Sequence, residues 1–109
     1  MTHKYLELAF TPAVLAAQQH AYGRAAKPHA DGERDALSDA EREFIAARDS
    51  FYLGSVNADG WPYIQHRGGA PGFLQVVDER TLAFADLRGN RQLVTTGNVA
   101  DNARVALFL

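Results

Sequence analysis

The chain has 109 residues, 47% of them hydrophobic, and its formal net charge is −2. This length fits one domain with one core, and the near-neutral charge excludes a global basic field that would recruit nucleic acid or an acidic membrane. The sequence lacks cysteine, which excludes disulfides, thiolate metal sites and cysteine nucleophiles. No apolar run approaches the roughly 20 residues of a membrane span, and the N-terminus has no signal-peptide pattern. We therefore expect a cytoplasmic protein with no nucleic-acid or membrane partner and no metal site.

The N-terminal third of the sequence predicts an arm, a helix and a loop. Weak alternation over residues 1–10 favours an extended arm. Thr11-Pro12 has the form of an N-cap followed by proline at the first helical position, and Ala13–Tyr22 has the composition of a helix. The segment after it combines glycine, proline and mixed charge, which is typical of a loop. We therefore interpret residues 1–37 as an N-terminal arm, helix and loop, and residues 38–109 as the folded domain.

A capping box marks the start of a second helix. Ser38 is followed three residues later by Glu41, so that each side chain can accept a hydrogen bond from the backbone N–H of the other. About three turns follow, which is the average length of a helix. We expect this helix to span Asp39–Arg48, with a buried stripe of Phe44, Ile45 and Ala47.

From residue 50 onwards the hydrophobic pattern becomes that of strands. Asn57–Gly60 predicts a hairpin turn between the first two strands, with Gly60 suited to positive φ. The last strand is continuously apolar, which is typical of burial on both faces. The predicted strands are Phe51–Val56, Trp61–His66, Phe73–Val77, Thr81–Ala85 and Arg104–Leu109. Helices followed by hairpin-linked strands predict a mainly β domain with flanking helices (α+β), built on a small antiparallel barrel.

The junction between the fourth strand and the next helix is a candidate anion site. The strand is expected to end near Asp86, a turn to follow, and a short helix to span Asn90–Thr96. An asparagine N-cap leaves helix N–H groups directed outward, where they favour an anion, and Arg88 and Arg91 add positive charge beside them. An ordinary strand-to-helix turn with two solvated arginines is the alternative interpretation.

The order of motifs in the second half is more specific than any one motif. It runs from Asp59-Gly60-Trp61-Pro62 through His66-Arg67-Gly68-Gly69, Phe84-Ala85-Asp86 and Gly89-Asn90-Arg91-Gln92 to Asp101-Asn102-Ala103-Arg104-Val105-Ala106-Leu107. This order resembles the FMN-binding split-barrel family named after pyridoxamine 5'-phosphate oxidase, over about residues 44–109. The resemblance implies an antiparallel Greek-key split β-barrel, of which this chain holds only the N-terminal part, preceded by two helices.

The resemblance also implies a site for FMN in a cleft at the interface of a homodimer. The strand after the Gly-x-Pro turn would supply one wall, the end of a later strand would line the cleft, and the start of the next helix would hold the phosphate. The residues so implied are Gln65, His66, Arg67 and Gly68 in the wall, Ala85 and Asp86 along the cleft, and Asn90, Arg91 and Gln92 at the phosphate. The adjacent glycines of the wall would let the backbone approach a flat ring closely.

Some of these residues also have a structural interpretation. His66 fits equally well a strand histidine that is hydrogen-bonded to the backbone. Gly68 and Gly69 fit a β-bulge, and Asp86 fits the cap of a local turn. Trp61 is interpreted as a core or dimer-interface anchor rather than as a side chain stacked on the flavin.

The chain departs from the typical oxidase pattern at three positions. Gln65 stands where the family has arginine, Gln92 stands where it has lysine, and a second lysine is missing near Ala70. The resemblance therefore implies FMN binding more than that particular substrate. We expect an FMN-dependent oxidoreductase that acts on an unidentified small molecule, with redox chemistry supplied by the cofactor and no catalytic side chain assigned. A non-catalytic flavin-binding or dimerisation module is the alternative, and a related deazaflavin is an alternative to FMN.

The sequence ends inside its most apolar predicted strand. An uncovered edge of this kind invites pairing with another strand. We therefore expect the chain to be a fragment of a longer protein that in addition forms a homodimer.

Overall fold

The computed structural model describes residues 4–27, 34–85 and 92–109. The chain divides into two compact units, Met1–Ala36 and Leu37–Leu109. Within the described ranges, no helix combines the length and the apolar character needed to cross a bilayer.

The first unit contains two helices, α1 (Lys4–Ala9) and α2 (Pro12–Tyr22). α2 forms as predicted, because Oγ1 of Thr11 accepts a hydrogen bond from the Val14 N–H at 3.3 Å and Gly23 ends the helix with a φ of 69°. The extended arm predicted for residues 1–10 is wrong over α1. Leucine, alanine, glutamate and lysine all favour a helix there, and an ion pair of 3.0 Å between Lys4 and Glu7 joins side chains one turn apart.

The second unit combines antiparallel sheets with helices. Its elements in chain order are α3 (Asp39–Ala46), β1 (Ser50–Val56), β2 (Pro62–Gly68), β3 (Gln75–Asp78), β4 (Thr81–Ala83), α4 (Val94–Asp101) and β5 (Ala106–Phe108). One sheet has the strand order β2-β1-β5, and β3 pairs with β4 in a separate hairpin. The described residues do not close a barrel. The α+β fold, interpreted as part of a split barrel preceded by helices, is confirmed.

The β1–β2 hairpin is specified by its turn. Oδ1 of Asn57 accepts hydrogen bonds from the N–H groups of Asp59 (3.0 Å) and Trp61 (2.9 Å), and Gly60 has a φ of 88°. The resulting register pairs residues from Val56↔Pro62 to Ser50↔Gly68. β2 therefore runs two residues beyond its predicted end at His66, because β1 continues to pair with it.

The core of the second unit lies on one face of the three-stranded sheet, which we call the inner face. Its buried side chains are Ile45 from α3, Phe51 and Leu53 from β1, and Leu74, which immediately precedes β3. The buried stripe predicted for α3 is confirmed only for Ile45. Phe44 is exposed beneath the guanidinium of Arg48, whose Cζ lies 4.2 Å from the ring centroid, and Ala47 is exposed as the C-cap.

The last strand is more exposed than predicted. β5 pairs with β1 at the end of the sheet order, and its side chains alternate between the two faces. Leu107 is half-buried on the inner face, whereas Ala106 and Phe108 are exposed on the opposite, outer face. Burial on both faces is therefore wrong for the described chain, because only the inner face meets packed side chains.

The helix predicted over Asn90–Thr96 is shifted along the chain. Gln92 and Leu93 are not helical, and α4 begins at Val94 after Leu93, which has a φ of 56°. The predicted stop at Gly97-Asn98 lies inside the helix. Asn98 is buried there, because its Nδ2 donates a hydrogen bond of 3.0 Å to Oγ of Ser55 on β1. Asn90 itself lies outside the described residues.

The turn between β3 and β4 supplies a pH-dependent stability prediction. Oδ1 of Asp78 accepts a hydrogen bond of 2.8 Å from the Arg80 N–H. This bond, a hydrogen bond from the Thr81 side chain and the nearby charges of Arg42 and Arg80 lower the pKa of Asp78 below its ordinary value of 3.8. A lowered folded-state pKa stabilises the fold above the ordinary pKa, and this contribution is lost as the pH falls through the folded-state pKa.

We therefore expect Asp78→Asn to lower the urea midpoint at about pH 7 and to cost progressively less as the pH falls below about 4. Parallel urea titrations of the variant and the wild-type chain over this range measure the difference. A difference that stays constant from neutral to acid pH would contradict the assignment, because loss of the carboxylate charge could then not be its cause.

Candidate functional site

A cavity of about 550 Å³ lies in the second unit between the inner face of the sheet, the β3–β4 hairpin and α4. Its volume is within the range of small-molecule sites, roughly 300–1,000 Å³. The walls are mostly apolar and include Leu53, Leu82, Phe84, Val99 and Leu107, while the polar side chains that line it are Arg67, Thr95 and Thr96. An apolar slot with a cation and hydroxyl groups at one edge can hold a flat ligand that carries an anionic group.

Arg67 reaches this cavity because of its place in β2. It pairs with Phe51 in the sheet register and is half-buried on the inner face. Its Cζ lies 5.3 Å from the ring centroid of Phe84, and its Nη2 donates a hydrogen bond of 3.3 Å to Oε1 of Gln65. The guanidinium is thus held between an aromatic ring and an amide oxygen.

Gln65 shares the inner face with Arg67 but has a different place. It is half-buried and is not one of the residues that line the cavity. Its Oε1 also accepts a hydrogen bond of 2.6 Å from Oγ1 of the buried Thr95, which stands in the first turn of α4. The Gln65 side chain therefore connects β2 to the start of α4.

The other two residues of the predicted wall face the opposite way. Strand side chains alternate, so His66 and Gly68 lie on the outer face and are exposed. The ring of His66 meets that of Tyr52 edge-to-face, with centroids 5.4 Å apart. The structure thus brings Gln65 and Arg67 together and separates them from His66 and Gly68.

The backbone at Gly69 is closely approached, but by the side chain of Phe73 rather than by space left for a ligand. A Cβ at this position would lie 2.8 Å from Cγ of Phe73, so the ring of Phe73 packs directly against the glycine backbone. The Gly69 N–H donates a hydrogen bond of 2.9 Å to the carbonyl oxygen of Asp49. The space beside this glycine is therefore filled by the fold itself.

The remaining predicted residues belong to the segment between β4 and α4. Ala85 is exposed after β4, and Gln92 is exposed two residues before α4. The other three, Asp86, Asn90 and Arg91, lie outside the described residues.

Thr95 and Thr96 were not predicted as site residues. The reason is the misplaced helix, because a helix that begins at Val94 puts both threonines in its first turn. The Leu93 N-cap makes no side-chain hydrogen bond to this turn. The backbone N–H groups of the first turn of α4 carry the partial positive charge of a helix N-terminus. Two hydroxyl residues in succession were the available sequence signal.

The side chains that line the cavity are suited to bind and orient a ligand rather than to transfer protons. Among the described residues that line the cavity, none is an aspartate, a glutamate or a histidine. A search of residues 4–27, 34–85 and 92–109 finds no cluster of three or more side chains suited to a metal ion. The described lining can hold an anion and a flat apolar group, but it offers no side chain that titrates near neutral pH.

Comparison with known proteins identifies the family. The family model for pyridoxamine 5'-phosphate oxidase matches residues 37–109, which is more than half of the chain and coincides with the second compact unit. Searches of curated proteins and of solved structures found no significant match. The resemblance expected over about residues 44–109 is thus confirmed and extends to residue 37. The chain belongs to the pyridoxamine 5'-phosphate oxidase family.

Proposed function

We propose that this chain binds FMN in the cavity of its second unit and acts as an FMN-dependent oxidoreductase on a small molecule. The observation that carries the proposal is the placement of Arg67 at the edge of an apolar cavity, 5.3 Å from the ring of Phe84. Membership of the pyridoxamine 5'-phosphate oxidase family supports a flavin as the ligand. We propose a cytoplasmic location for the protein on the composition of its sequence.

The described lining fits the chemical needs of a flavin mononucleotide. The apolar walls suit the ring system, and Arg67 offers planar N–H donors to a phosphate or to a ring carbonyl. Thr96 adds a hydroxyl group, and the first turn of α4 adds backbone N–H groups, which favour an anion. FMN would supply the redox chemistry, and these residues would bind and orient it.

We extend the proposal to the segment that precedes α4. Arg91 and Gln92 would hold the phosphate, Asn90 would support them, and Ala85 and Asp86 would line the cleft. The basis is their match to the family motif rather than an observed contact. A guanidinium at position 91 can grip two phosphate oxygens at once, which a lysine could not.

A homodimer would give His66 and Gly68 a role. Both lie on the outer face, which also exposes Tyr52, Ile64 and Phe108. Apolar surface of this kind is typical of a protein interface. At such an interface, the outer face of one copy could reach the cofactor held by the other, so we propose that these two residues contact FMN across the dimer.

A non-catalytic flavin-binding or dimerisation module is the second candidate. It is favoured by one observation, namely that no aspartate, glutamate or histidine is present among the described residues that line the cavity. The oxidoreductase and the flavin-binding module both require FMN to bind, whereas a dimerisation module does not. Only the oxidoreductase requires the bound flavin to pass electrons to a substrate. The second unit can serve either role with the same lining.

Flavin titration of the purified chain tests the proposal. We expect added FMN to bind with quenching of its fluorescence, and we expect NAD(P)H or another reductant to bleach the bound flavin with reoxidation by an acceptor. Binding without turnover under a panel of reductants and acceptors would favour the module. A chain that leaves the FMN spectrum and fluorescence unchanged would contradict the oxidoreductase and the flavin-binding module and would leave only the dimerisation module.

A further inference from the structure

One acceptor atom on β2 connects this strand to α4. Oε1 of Gln65 accepts a hydrogen bond from Oγ1 of Thr95 at 2.6 Å and another from Nη2 of Arg67 at 3.3 Å. Both donors line the cavity, whereas Gln65 does not. Gln65 therefore influences the cavity through the two side chains that it holds.

We propose that Gln65 is a positioning residue, which fixes the Arg67 guanidinium and the first turn of α4 in the arrangement that receives the anionic group of the ligand. The inference rests on the proposed function, because it takes that ligand to be a phosphate-bearing flavin. A neutral amide suits this task, since its oxygen accepts a hydrogen bond from the guanidinium without forming an ion pair with it. A carboxylate at the same place would form an ion pair with Arg67 and cancel much of its positive charge.

A second hydrogen bond between α4 and the sheet provides a matched control. Nδ2 of Asn98 donates to Oγ of Ser55 at 3.0 Å, one helical turn beyond Thr95. Both partners are buried, at 7% and 3% exposure, and neither lines the cavity. Loss of this bond weakens the docking of α4 without removing a partner of Arg67.

The test compares FMN with riboflavin, which lacks the phosphate, in the full chain. Thr95→Val removes the hydroxyl with little change of shape, and Gln65→Leu removes the shared acceptor. We expect each variant to lose roughly tenfold in its preference for FMN over riboflavin, the scale of one charge-assisted hydrogen bond. Gln65→Glu should keep the thermal midpoint of the wild-type chain but also lose the preference, because the new carboxylate pairs with Arg67.

Ser55→Ala should lower the thermal midpoint and leave the preference for FMN unchanged. The inference alone is overturned if Thr95→Val and Gln65→Leu both keep the wild-type preference, and equally if Ser55→Ala reduces it as much as they do. In either case a wild-type chain that binds FMN more tightly than riboflavin leaves the proposed function standing. A wild-type chain that binds neither flavin overturns the proposed function together with the inference.

Discussion

Replacement of Phe51 by alanine is expected to lower the free energy of unfolding of the second unit by about 3–5 kcal/mol, the range measured for such truncations in protein cores. Phe51 is the second residue of β1 and is 1% exposed. Its ring stacks on Phe73 with centroids 5.6 Å apart and meets Phe84 edge-to-face at 5.2 Å. Removal of the ring therefore loses both aromatic contacts and leaves a cavity beneath the sheet. Because small domains are stable by only about 5–15 kcal/mol, urea denaturation followed by circular dichroism will resolve the change.

Phe108→Ala is the matched control for this measurement. Phe108 lies in the same sheet, on β5, but is 75% exposed on the outer face, so its truncation should cost less than about 1 kcal/mol. If Phe51→Ala cost less than about 1 kcal/mol, as expected for this control, the assignment of the inner face as the core would be wrong. An equally large loss in both variants would instead indicate that the outer face is covered in solution, as the proposed homodimer requires.

Local signals in the sequence predicted the elements that depend on local interactions. The Asn57–Gly60 turn forms because the side chain of Asn57 bonds the N–H groups of the turn itself. The start of α3 likewise follows from the capping box, since Oγ of Ser38 accepts from the Glu41 N–H at 3.2 Å. Such interactions join residues a few positions apart, so a single sequence contains the information needed to predict them.

Contacts between distant residues explain why α4 was misplaced. The Gly97-Asn98 pair predicts the end of a helix. In the structure Asn98 lies inside the helix, where it bonds Ser55, a residue 43 positions away in the sequence. Thr95 is joined to Gln65 across 30 positions. These bonds stabilise a helix whose own sequence contains glycine, asparagine and two threonines, all weak helix formers. Thr95 lies at the polar edge of the cavity, and its contact with Gln65 joins residues too far apart in the chain for local sequence signals to indicate.

The division of the predicted wall, by contrast, could have been deduced from the sequence. Side chains of a strand alternate between faces, so four consecutive residues of one strand cannot all line one side of a cleft. Gln65 and Arg67 share the inner face with the cavity, while His66 and Gly68 share the outer face. A single bound ligand can contact both pairs only if the second pair belongs to another copy of the chain, which a homodimer would provide.

Arg67→Met is expected to weaken FMN binding by about 10–100-fold, corresponding to the roughly 1.5–3 kcal/mol of a hydrogen bond to a charged group. Methionine retains an unbranched apolar stem, so packing of the stem is largely preserved, while the charge, the N–H donors and the cation–π contact with Phe84 are lost. Riboflavin affinity should fall much less, because riboflavin carries no phosphate. Isothermal titration of both flavins with the variant and the wild-type chain measures the two losses, and the same substitution at Arg91 shows how the phosphate interaction is divided between the two arginines.

Arg80→Met is the matched control, since Arg80 is an exposed arginine in the β3–β4 turn that does not line the cavity. Arg67→Lys keeps the positive charge but loses the planar pair of donors, so a partial loss of FMN affinity would indicate two-pronged binding of the phosphate. Equal losses for FMN and riboflavin would mean that Arg67 binds the ring or shapes the cavity instead. If neither affinity changed while Arg91→Met abolished binding, the flavin would have to lie outside this cavity, and the anion site would then belong to the segment that joins β4 to α4.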